Sequence, residues 1–310
     1  MSNLLIVGSV ALDNIETPFG KVNNVLGGSA VYASYTASFF SKVNIVGVVG
    51  TDFPKEYIEF FKSKNIDTKG LQIVEGKTFR WSGYYEYDMN VANTLFTHLN
   101  VFADFTPHIP PEYQSCEYVF LANINPDLQL FVLKQVKKPK LVLCDTMNYW
   151  ITSQPEKVIE VIKSVDIVTL NDAEVRQLCQ TPSIIKGAKN ILNLGPHTVI
   201  IKKGENGAVM FHKDSYFAVP GYPIEEVKDP TGAGDTFAGG FIGYLAQSNN
   251  INEPTIRQAV VVGSVMASFN VEDFSLNKLR DLTESTIKER CNAFNKFVSF
   301  DEINFLCKTL

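Results

Sequence analysis

The sequence predicts an α/β protein with a central, mostly parallel β-sheet, helices on both faces and a small β-lid. Short apolar segments rich in strand-forming residues alternate with segments of helical spacing, the pattern that parallel strands and their crossover helices produce. The stretch 68–102 is instead polar, aromatic and partly alternating, which is typical of a small antiparallel sheet with one solvated face. With 310 residues the chain can bury a large core without disulfides or structural metal.

The predicted elements follow one another along the chain in a regular order. Strands are predicted at Leu4–Ala11, Val43–Val49, Tyr118–Ala122, Leu141–Cys144, Ile167–Leu170 and Val199–Lys202. Helices are predicted at Ser29–Phe40, Pro54–Lys64, Asp127–Val136, Pro155–Lys163 and Asp172–Cys179, and the chain is mostly helical after Gly232. We therefore expect an α/β core formed by residues 1–13, 27–67 and 103–310, and a lid formed by residues 14–26 and 68–102.

Composition limits the classes of partner. The chain has 28 basic and 33 acidic residues and a net charge of −5, so a basic surface for nucleic acid is not expected. The apolar run Leu4–Leu12 is too short to span a membrane and lacks a basic flank. None of the five cysteines forms a C-x-x-C pair, which favours a reducing compartment. We expect a cytoplasmic protein that binds a small molecule, without nucleic-acid or membrane partners.

The segment Asp229–Phe241 carries the sharpest chemical signal. Gly232, Ala233 and Gly234 open a predicted helix, and their lack of bulk lets backbone N–H groups approach a ligand closely. The first N–H groups of a helix have no internal partner and the helix dipole places partial positive charge there. The sequence therefore predicts a backbone site for a phosphate group.

Asp235 stands directly beside this predicted phosphate site. Two like charges 4 Å apart repel by about 4 kcal/mol at an effective dielectric constant near 20, so a carboxylate is costly here. The cost is explained if Asp235 accepts the proton of a hydroxyl that attacks a phosphoryl group. A glycine-rich turn whose aspartate only caps the helix remains the alternative.

Other phosphate, dinucleotide and zinc motifs are missing. The chain has no G-x-x-x-x-G-K-[ST] segment, and Gly8-Ser9-Val10 stands where a G-x-G-x-x-G would follow the first strand. The four histidines show no H-E-x-x-H spacing. A P-loop protein, a dinucleotide-dependent dehydrogenase and a zinc enzyme are therefore disfavoured.

Along nearly its whole length the chain resembles the ribokinase family of sugar and nucleoside kinases, the PfkB-type carbohydrate kinases. Six segments occur in the family's order, namely Gly8–Asp13, Gly27–Ala30, Val49–Asp52, Asn171–Glu174, Lys202–Gly207 and Asp229–Asp235. The last segment is highly specific, whereas N-x-x-E alone would be weak. The resemblance implies the ribokinase-like fold and an ATP-dependent kinase.

The resemblance also implies an acceptor site. Asp13 would hold substrate hydroxyls, and the backbone of Gly27 and Gly28 would touch the acceptor. Tyr32 stands where the family often has an asparagine that contacts substrate. Further contacts are predicted at Arg80 in the lid, where a plain surface role is the alternative, and at the strand ends Asn123 and Asp145, where helix capping is the alternative for Asp145.

On the nucleotide side, the resemblance implies that Asn171 and Glu174 hold Mg²⁺ through water, which suits an ion that keeps several waters. ATP would lie along Lys202, the turn from Gly204 to Gly207, and Thr231. Backbone amides of Gly232, Ala233 and Gly234 would stabilise the transferred phosphoryl group, with Asp235 as the base. Asp229 matches the residue that binds a monovalent cation, such as K⁺, in many members. Pro230 replaces a common threonine and is expected to stiffen the turn.

The lid is expected to close over the acceptor and exclude water. Its aromatic residues, Trp81 among them, would stack on a base, form the core of the lid or pair two lids in a homodimer. We expect transfer of the γ-phosphoryl group of ATP to a hydroxyl, a primary CH₂OH, of a small sugar. A nucleoside kinase with an adenosine-, cytidine- or inosine-like acceptor is the alternative, and a non-catalytic ligand sensor is the alternative from another class.

Overall fold

The computed structural model describes residues 3–213, 215–299 and 301. The strands are β1 (Asn3–Val7), β2 (Ala11–Thr17), β3 (Gly20–Gly27), β4 (Lys42–Gly50), β5 (Ile66–Val74), β6 (Phe79–Tyr85), β7 (Ala92–His98), β8 (Tyr118–Leu121), β9 (Leu141–Asp145), β10 (Ile167–Asn171), β11 (Thr198–Lys202), β12 (Ala208–His212) and β13 (Ser215–Val219). The α-helices are α1 (Ser29–Ala37), α2 (Lys55–Ser63), α3 (Pro126–Leu133), α4 (Asn148–Ser153), α5 (Pro155–Ile162), α6 (Asp172–Cys179), α7 (Ile184–Leu192), α8 (Ala233–Ser248), α9 (Glu253–Asn270), α10 (Asn277–Arg280) and α11 (Glu284–Val298).

A nine-stranded sheet in the order β13-β12-β11-β10-β9-β8-β1-β4-β5 forms the centre of the molecule. Every neighbouring pair from β11 to β5 is parallel, and β12 and β13 add an antiparallel edge. Successive residues of a strand point to opposite faces. Leu4 and Ile6 accordingly belong to the hydrophobic core on one face, and Leu5 and Val7 to the core on the other. The predicted α/β class with a mostly parallel sheet and helices on both faces is confirmed.

A second sheet of four strands, in the order β3-β2-β6-β7, lies beside the large one. The pairs β2–β3 and β6–β7 are antiparallel, but β2 and β6 run parallel, so the prediction of an antiparallel lid is wrong at the centre of this sheet. β2 and β6 come from distant parts of the chain, and local patterning does not fix the direction in which two such strands pair.

The boundaries of the small sheet also differ from those expected. β1 ends at Val7, and Asp13 lies within β2, so Asp13 belongs to the small sheet rather than to the end of the first strand. β5 belongs to the large sheet, although residues 68–74 were assigned to the lid. Gly70 explains this pairing, because a β-carbon there would lie 2.6 Å from the carbonyl oxygen of Ile45 on β4, and only glycine permits so close an approach.

The glycines of α8 bring its backbone close to its helical neighbours. A β-carbon on Gly239 would lie 2.4 Å from the carbonyl oxygen of Ala33 on α1, and one on Gly243 would lie 2.9 Å from Cα of Ala37. On the side of α9, a β-carbon on Gly263 would lie 2.8 Å from the carbonyl oxygen of Phe237. Each glycine costs about 1 kcal/mol of helix propensity relative to alanine, and this close packing offsets the cost. It fixes the position of the N-terminus of α8.

The helices of the described residues are all too short or too polar to cross a membrane.

Candidate active site

The N-terminus of α8 forms a compact turn with free backbone donors. Gly232 has φ of 75°, a left-handed conformation that favours glycine, and Ala233 begins the helix. Within the described part of the chain, the amides of Gly232 and Gly234 have no protein acceptor. The amide of Ala233 differs from expectation, because it donates to the carbonyl oxygen of Pro230 at 3.1 Å and closes the turn. The two glycine amides are therefore the donors available to an anion.

Three side chains hold this turn in place. The amide of Thr231 donates to Oδ1 of Asp229 at 2.8 Å. The side-chain amide of Asn270 donates to the carbonyl oxygen of Thr231 at 2.8 Å and accepts from Oγ1 of Thr236 at 3.1 Å. Sequence reasoning missed Asn270, because it lies at the end of α9 outside any motif. Its only signal was an amide side chain ending an apolar helix.

Asp235 lies in the first turn of α8 among charged groups from other elements. Nζ of Lys202, at the end of β11, lies 3.2 Å from the position that a β-carbon on Gly234 would take. Lys202 donates to Oδ2 of Asp145 at 2.6 Å, and both side chains are largely buried. Burial, together with the nearby Asp145 and against the opposing effect of Lys202, raises the pKa of Asp235 to about 7. A carboxyl group with a pKa near 7 is suited to general-base chemistry at neutral pH.

Glu174 and Asn171 form a capping box at the start of α6. Oδ1 of Asn171 accepts from the amide of Glu174, and Oε2 of Glu174 accepts from the amide of Asn171, both at 2.7 Å. The N-x-x-E spacing thus also has a structural role in the helix start. Burial raises the pKa of Glu174, Lys202 lowers it and Asp145 raises it again.

The carboxylates of Asp145, Glu174 and Asp235 thus surround a single lysine. Three acidic side chains thus share one basic neighbour, and this surplus of carboxyl groups fits a site that receives a cation. No group of three or more His, Cys, Asp or Glu side chains within residues 3–213, 215–299 and 301 is arranged to hold a metal by itself. A Mg²⁺ ion here would keep water and phosphate ligands, which is its usual preference.

Asp13 lies against the start of α1. A β-carbon on Gly27 would lie 1.9 Å from Oδ2 of Asp13, and one on Gly28, which has φ of 99°, would lie 2.5 Å from the carbonyl oxygen of Ser9. Position 28 therefore requires glycine, and a larger residue at position 27 would displace the Asp13 carboxyl group. Burial raises the pKa of Asp13 to about 8, helped by Asp229 and Asp235 and opposed by the amides of Trp81 and Gly28. Oδ1 of Asp13 is buried and has no hydrogen-bond partner among the residues that the structure describes.

Tyr32 is the residue that stands in place of the family's asparagine. It is 1% exposed on α1, and a β-carbon on Gly232 would lie 2.5 Å from three atoms of its ring. The structure therefore brings Tyr32 and Asp13 to the same region as the N-terminus of α8.

Three other residues predicted to contact the acceptor have protein partners. Nη2 of Arg80 pairs with Oδ2 of Asp52 at 2.9 Å, and Nη1 contacts Asn24. Asn123 accepts from Nε1 of Trp150 at 3.1 Å. Asp145 pairs with Lys202, as described above. Contact of these residues with an acceptor stays a prediction.

The segment 85–90, from the end of β6 into the loop before β7, touches the predicted nucleotide side. Oγ1 of Thr231 donates to the hydroxyl of Tyr85 at 3.2 Å. A β-carbon on Gly204, which has φ of 54°, would lie 3.3 Å from Oδ1 of Asn90. The turn that carries Gly204 continues through Gly207, which has φ of 82°. The small sheet and the loop after it thus contact both backbone turns.

The side chain of Trp81 packs and forms a hydrogen bond within the small sheet. Its Nε1 donates to Oγ1 of Thr94 at 3.1 Å, and a β-carbon on Gly83 would lie 2.3 Å from its ring. This packing corresponds to the lid-core alternative for Trp81.

Asp229 is fully buried beside the turn before α8. Its carboxylate accepts from the amides of Thr231 at 2.8 Å and Ser275 at 3.3 Å. Burial raises its pKa, whereas these hydrogen bonds lower it. Lysine and arginine partners of Asp229 are absent from the described residues, so a monovalent cation fits the charge of this site.

Comparison with known proteins agrees with this geometry. The family model described as pfkB family carbohydrate kinase matches residues 1–280. The chain belongs to the PfkB family of carbohydrate kinases. A cytidine kinase of Thermococcus kodakarensis is 30% identical over 258 residues, which cover 82% of this chain and 92% of that protein.

Two solved structures share the PfkB-family fold. The nucleoside kinase of Methanocaldococcus jannaschii superposes with a TM-score of 0.76 at 22% identity, covering 94% of this chain and 99% of that one. The nucleoside kinase of Burkholderia thailandensis in complex with inosine gives a TM-score of 0.75 at 19% identity, covering 94% and 98%.

This PfkB-family protein is thus a phosphotransferase with an alcohol group as acceptor, a sugar or nucleoside kinase. The family predicted from its six sequence segments is confirmed, as is the prediction of an enzyme rather than a sensor.

Proposed function

We propose that the protein transfers the γ-phosphoryl group of ATP to the primary hydroxyl of a nucleoside. The observation that carries the phosphoryl-transfer part is the first turn of α8, where two free glycine amides adjoin the half-buried carboxyl group of Asp235. The nucleoside part is supported by the similarity to a cytidine kinase over most of both chains. A simple sugar is the second candidate acceptor, because the family model describes carbohydrate kinases.

The chemical roles follow from the positions. Asp235, when ionised, accepts the proton of the acceptor hydroxyl as this oxygen attacks the γ-phosphorus, and the bond to the β,γ-bridging oxygen of ATP breaks. The amides of Gly232 and Gly234 donate to the non-bridging oxygens of the group in transfer, and one such donor is typically worth about 2.7–4 kcal/mol. Lys202 balances charge beside this group. Asp13, Gly27 and Gly28 hold the acceptor.

Two cations complete the proposed site. Mg²⁺, held through water by Glu174 and Asn171, would neutralise charge on the phosphates of ATP, and the surplus of carboxylates around Lys202 supports its binding there. K⁺ beside Asp229 would balance a buried carboxylate whose described partners are amides. The nucleotide would lie along Lys202, the turn from Gly204 to Gly207, and Thr231.

The small sheet would act as a lid, because Tyr85 contacts the turn before α8 and Asn90 contacts the turn at Gly204. Closure would exclude water, which competes with the acceptor for the phosphoryl group.

The cytoplasm is the proposed location, since Cys116, Cys144, Cys179 and Cys291 are free thiols.

An acceptor panel tests this proposal. We expect kcat/KM for cytidine, adenosine or inosine to exceed that for ribose and fructose by about 100-fold or more, since a base adds binding surface. ADP release would be measured in potassium and in tetramethylammonium salts, with and without MgCl₂, and both cations should increase turnover. If ribose is phosphorylated as efficiently as every nucleoside, the acceptor assignment is wrong. If the rate of ADP release is the same with and without K⁺, the proposed K⁺ site is wrong, and the same holds for Mg²⁺ and its site.

The small sheet also offers a surface for pairing two copies of the chain. Phe19, Val91 and Leu95 are 55%, 59% and 60% exposed on this sheet and its loops, and we propose that they form a homodimer contact. Leu95→Glu should convert dimers to monomers in sedimentation-velocity experiments, whereas Ile185→Glu on α7, where the side chain is 57% exposed, should not. A monomeric parent protein would contradict the contact.

A further inference from the structure

The strand β6 reaches two parts of the candidate active site. At its end, the hydroxyl of Tyr85 accepts a hydrogen bond from Oγ1 of Thr231, in the turn before α8, at 3.2 Å. In its middle, Trp81 is the register partner of Asp13 on β2, and the amide of Trp81 donates to the Asp13 carboxyl group. The position of β6 therefore decides where one hydrogen-bond donor of Asp13 lies.

The start of β6 is attached to the turn after β4 by one carboxyl group. Oδ1 of Asp52 accepts from both the amide and the hydroxyl of Thr78, each at 2.7 Å. Oδ2 of Asp52 accepts from Nη2 of Arg80 at 2.9 Å. Oγ1 of Thr78 in turn accepts from the amide of Gly50, on β4, at 3.0 Å. Asp52 thus uses both of its oxygens on the residue before β6 and on the second residue of this strand.

This attachment fixes the start of β6 more than it stabilises the fold. Thr78 is fully buried, and a β-carbon on Gly50 would lie 2.3 Å from the carbonyl oxygen of Gly76, so the two segments are in close contact. Although burial raises the pKa of Asp52, the hydrogen bonds from Thr78 and Arg80 outweigh this effect, so the pKa lies below its usual value and the group is ionised at neutral pH. The side chains of Asp52 and Arg80 are 29% and 26% exposed, and ion pairs with such access to water contribute little to stability.

We propose that Asp52 is a positioning residue for the phosphoryl transfer, which acts through β6. It holds the start of this strand, and the strand in turn places the Trp81 amide against Asp13. This inference rests on the proposed function, because it takes Asp13 as part of the acceptor site. It goes beyond that function, since Asp52 is outside the set of residues expected to touch the acceptor or the nucleotide. A misplacement of about 1 Å caused far from the reacting atoms can cost about 100-fold in rate.

The test compares the parent protein, Asp52→Asn, Arg80→Met and the double variant, with cytidine and ATP as substrates. Asparagine keeps an oxygen for Thr78 but loses the charge that holds Arg80, and methionine loses the guanidinium group. We expect each single variant to lower kcat/KM for cytidine by about 10–100-fold, while KM for ATP changes by less than about threefold. The double variant should be no worse than the weaker single variant, because the two side chains act as one pair.

A conservative variant and a matched control complete the set. Arg80→Lys keeps a positive charge beside Asp52, so its loss of kcat/KM should be at least threefold smaller than that of Arg80→Met. Glu112→Gln is the control, because Glu112 forms an ion pair of 3.1 Å with Lys69 between β5 and the segment before β8. This variant should keep the parental kinetic constants. Without ligand, the Tm of Asp52→Asn should fall by no more than about 2 °C, as expected for a partly exposed pair.

Three results would overturn the inference. The first is a parental kcat/KM for cytidine in Asp52→Asn. The second is a double variant in which the two single losses multiply, because Arg80 would then act independently of Asp52. The third is a fall in Tm of more than about 5 °C in Asp52→Asn, because a weakened fold would then explain the lost activity. If the acceptor panel shows no phosphorylation of nucleosides, the proposed acceptor is wrong, and the same variants are compared with ribose to decide the role of Asp52.

Discussion

Asp235→Asn is expected to lower kcat by about 10²–10⁴-fold, the usual contribution of a positioned general base. Asparagine has nearly the same shape but cannot accept the proton of the attacking hydroxyl. Because the amides of Gly232 and Gly234 remain, KM for ATP should change by less than about threefold. Steady-state ADP release measures both constants. Asp281→Asn, at an exposed aspartate after α10, is the control and should behave like the parent.

The pH dependence of kcat/KM in the parent protein should reflect the titration of Asp235. With a pKa of about 7, Asp235 is protonated below neutrality and cannot act as a base. We therefore expect kcat/KM to fall about tenfold per pH unit below pH 7, and we expect the residual activity of Asp235→Asn to lack this dependence. If Asp235→Asn turns over substrate at the parental rate, Asp235 is not the general base.

Stability should change in the opposite direction to activity. The pKa of Asp235 is raised in the folded protein, so the folded state holds a proton that the unfolded chain releases above pH 4. Stability from this group is complete below about pH 4, decreases as pH rises and is lost above about pH 7. Asparagine carries no such cost, so at pH 8 the ligand-free variant should melt about 2–5 °C higher than the parent. A lower Tm would indicate that the ionised carboxylate stabilises the fold.

Lys202→Met should have the largest effect on stability. Its loss leaves Asp145, Glu174 and Asp235 without their positive partner, and breaking a buried ion pair typically costs about 3–5 kcal/mol. Although burial lowers the pKa of Lys202, Asp145 and Glu174 outweigh this effect, so the pKa lies above its usual value. Urea denaturation at pH 8 measures the loss. Lys203→Met, at the adjacent position, is the matched control and should cost less than about 0.5 kcal/mol.

A second substitution separates the lost ion pair from lost packing. If the cost arises from an unpaired Asp145, the Asp145→Asn/Lys202→Met double variant should recover more than half of it. Equal stability of the single and double variants would mean that the Lys202 chain acts mainly by filling space.

Sequence reasoning succeeded where the information is local. The Gly232–Gly234 opening and the N-x-x-E spacing each define a turn or cap within a few residues, and the structure places both at strand or helix ends. The pairing of Lys202 with Asp145 was not predicted, because the two residues are 57 positions apart in the chain. Lys202 was expected to contact the nucleotide, and Asp145 was expected to contact the acceptor. Contact of Asp145 with an acceptor stays a prediction beside this pairing.

Contacts between distant elements account for the other differences. The packing of Tyr32 on Gly232 joins residues that are 200 positions apart. The hydrogen bond from Asn270 to the carbonyl oxygen of Thr231 comes from a helix that carries no recognisable motif. The parallel pairing of β2 with β6 similarly depends on the path of the chain between them. Such contacts follow from the assembled fold, which residue patterns describe only in part.

The glycine contacts of α8 with α1 and α9 have a consequence for how this enzyme can diversify. Any larger side chain at Gly239 or Gly243 would push α8 away from α1, so few substitutions are possible at these two positions. Most side chains of β7 are exposed, so substitutions in this strand disturb the core of the protein less. A descendant that acquires a different alcohol substrate should therefore change in β6 and β7 first, and a directed-evolution library is best concentrated on those two strands.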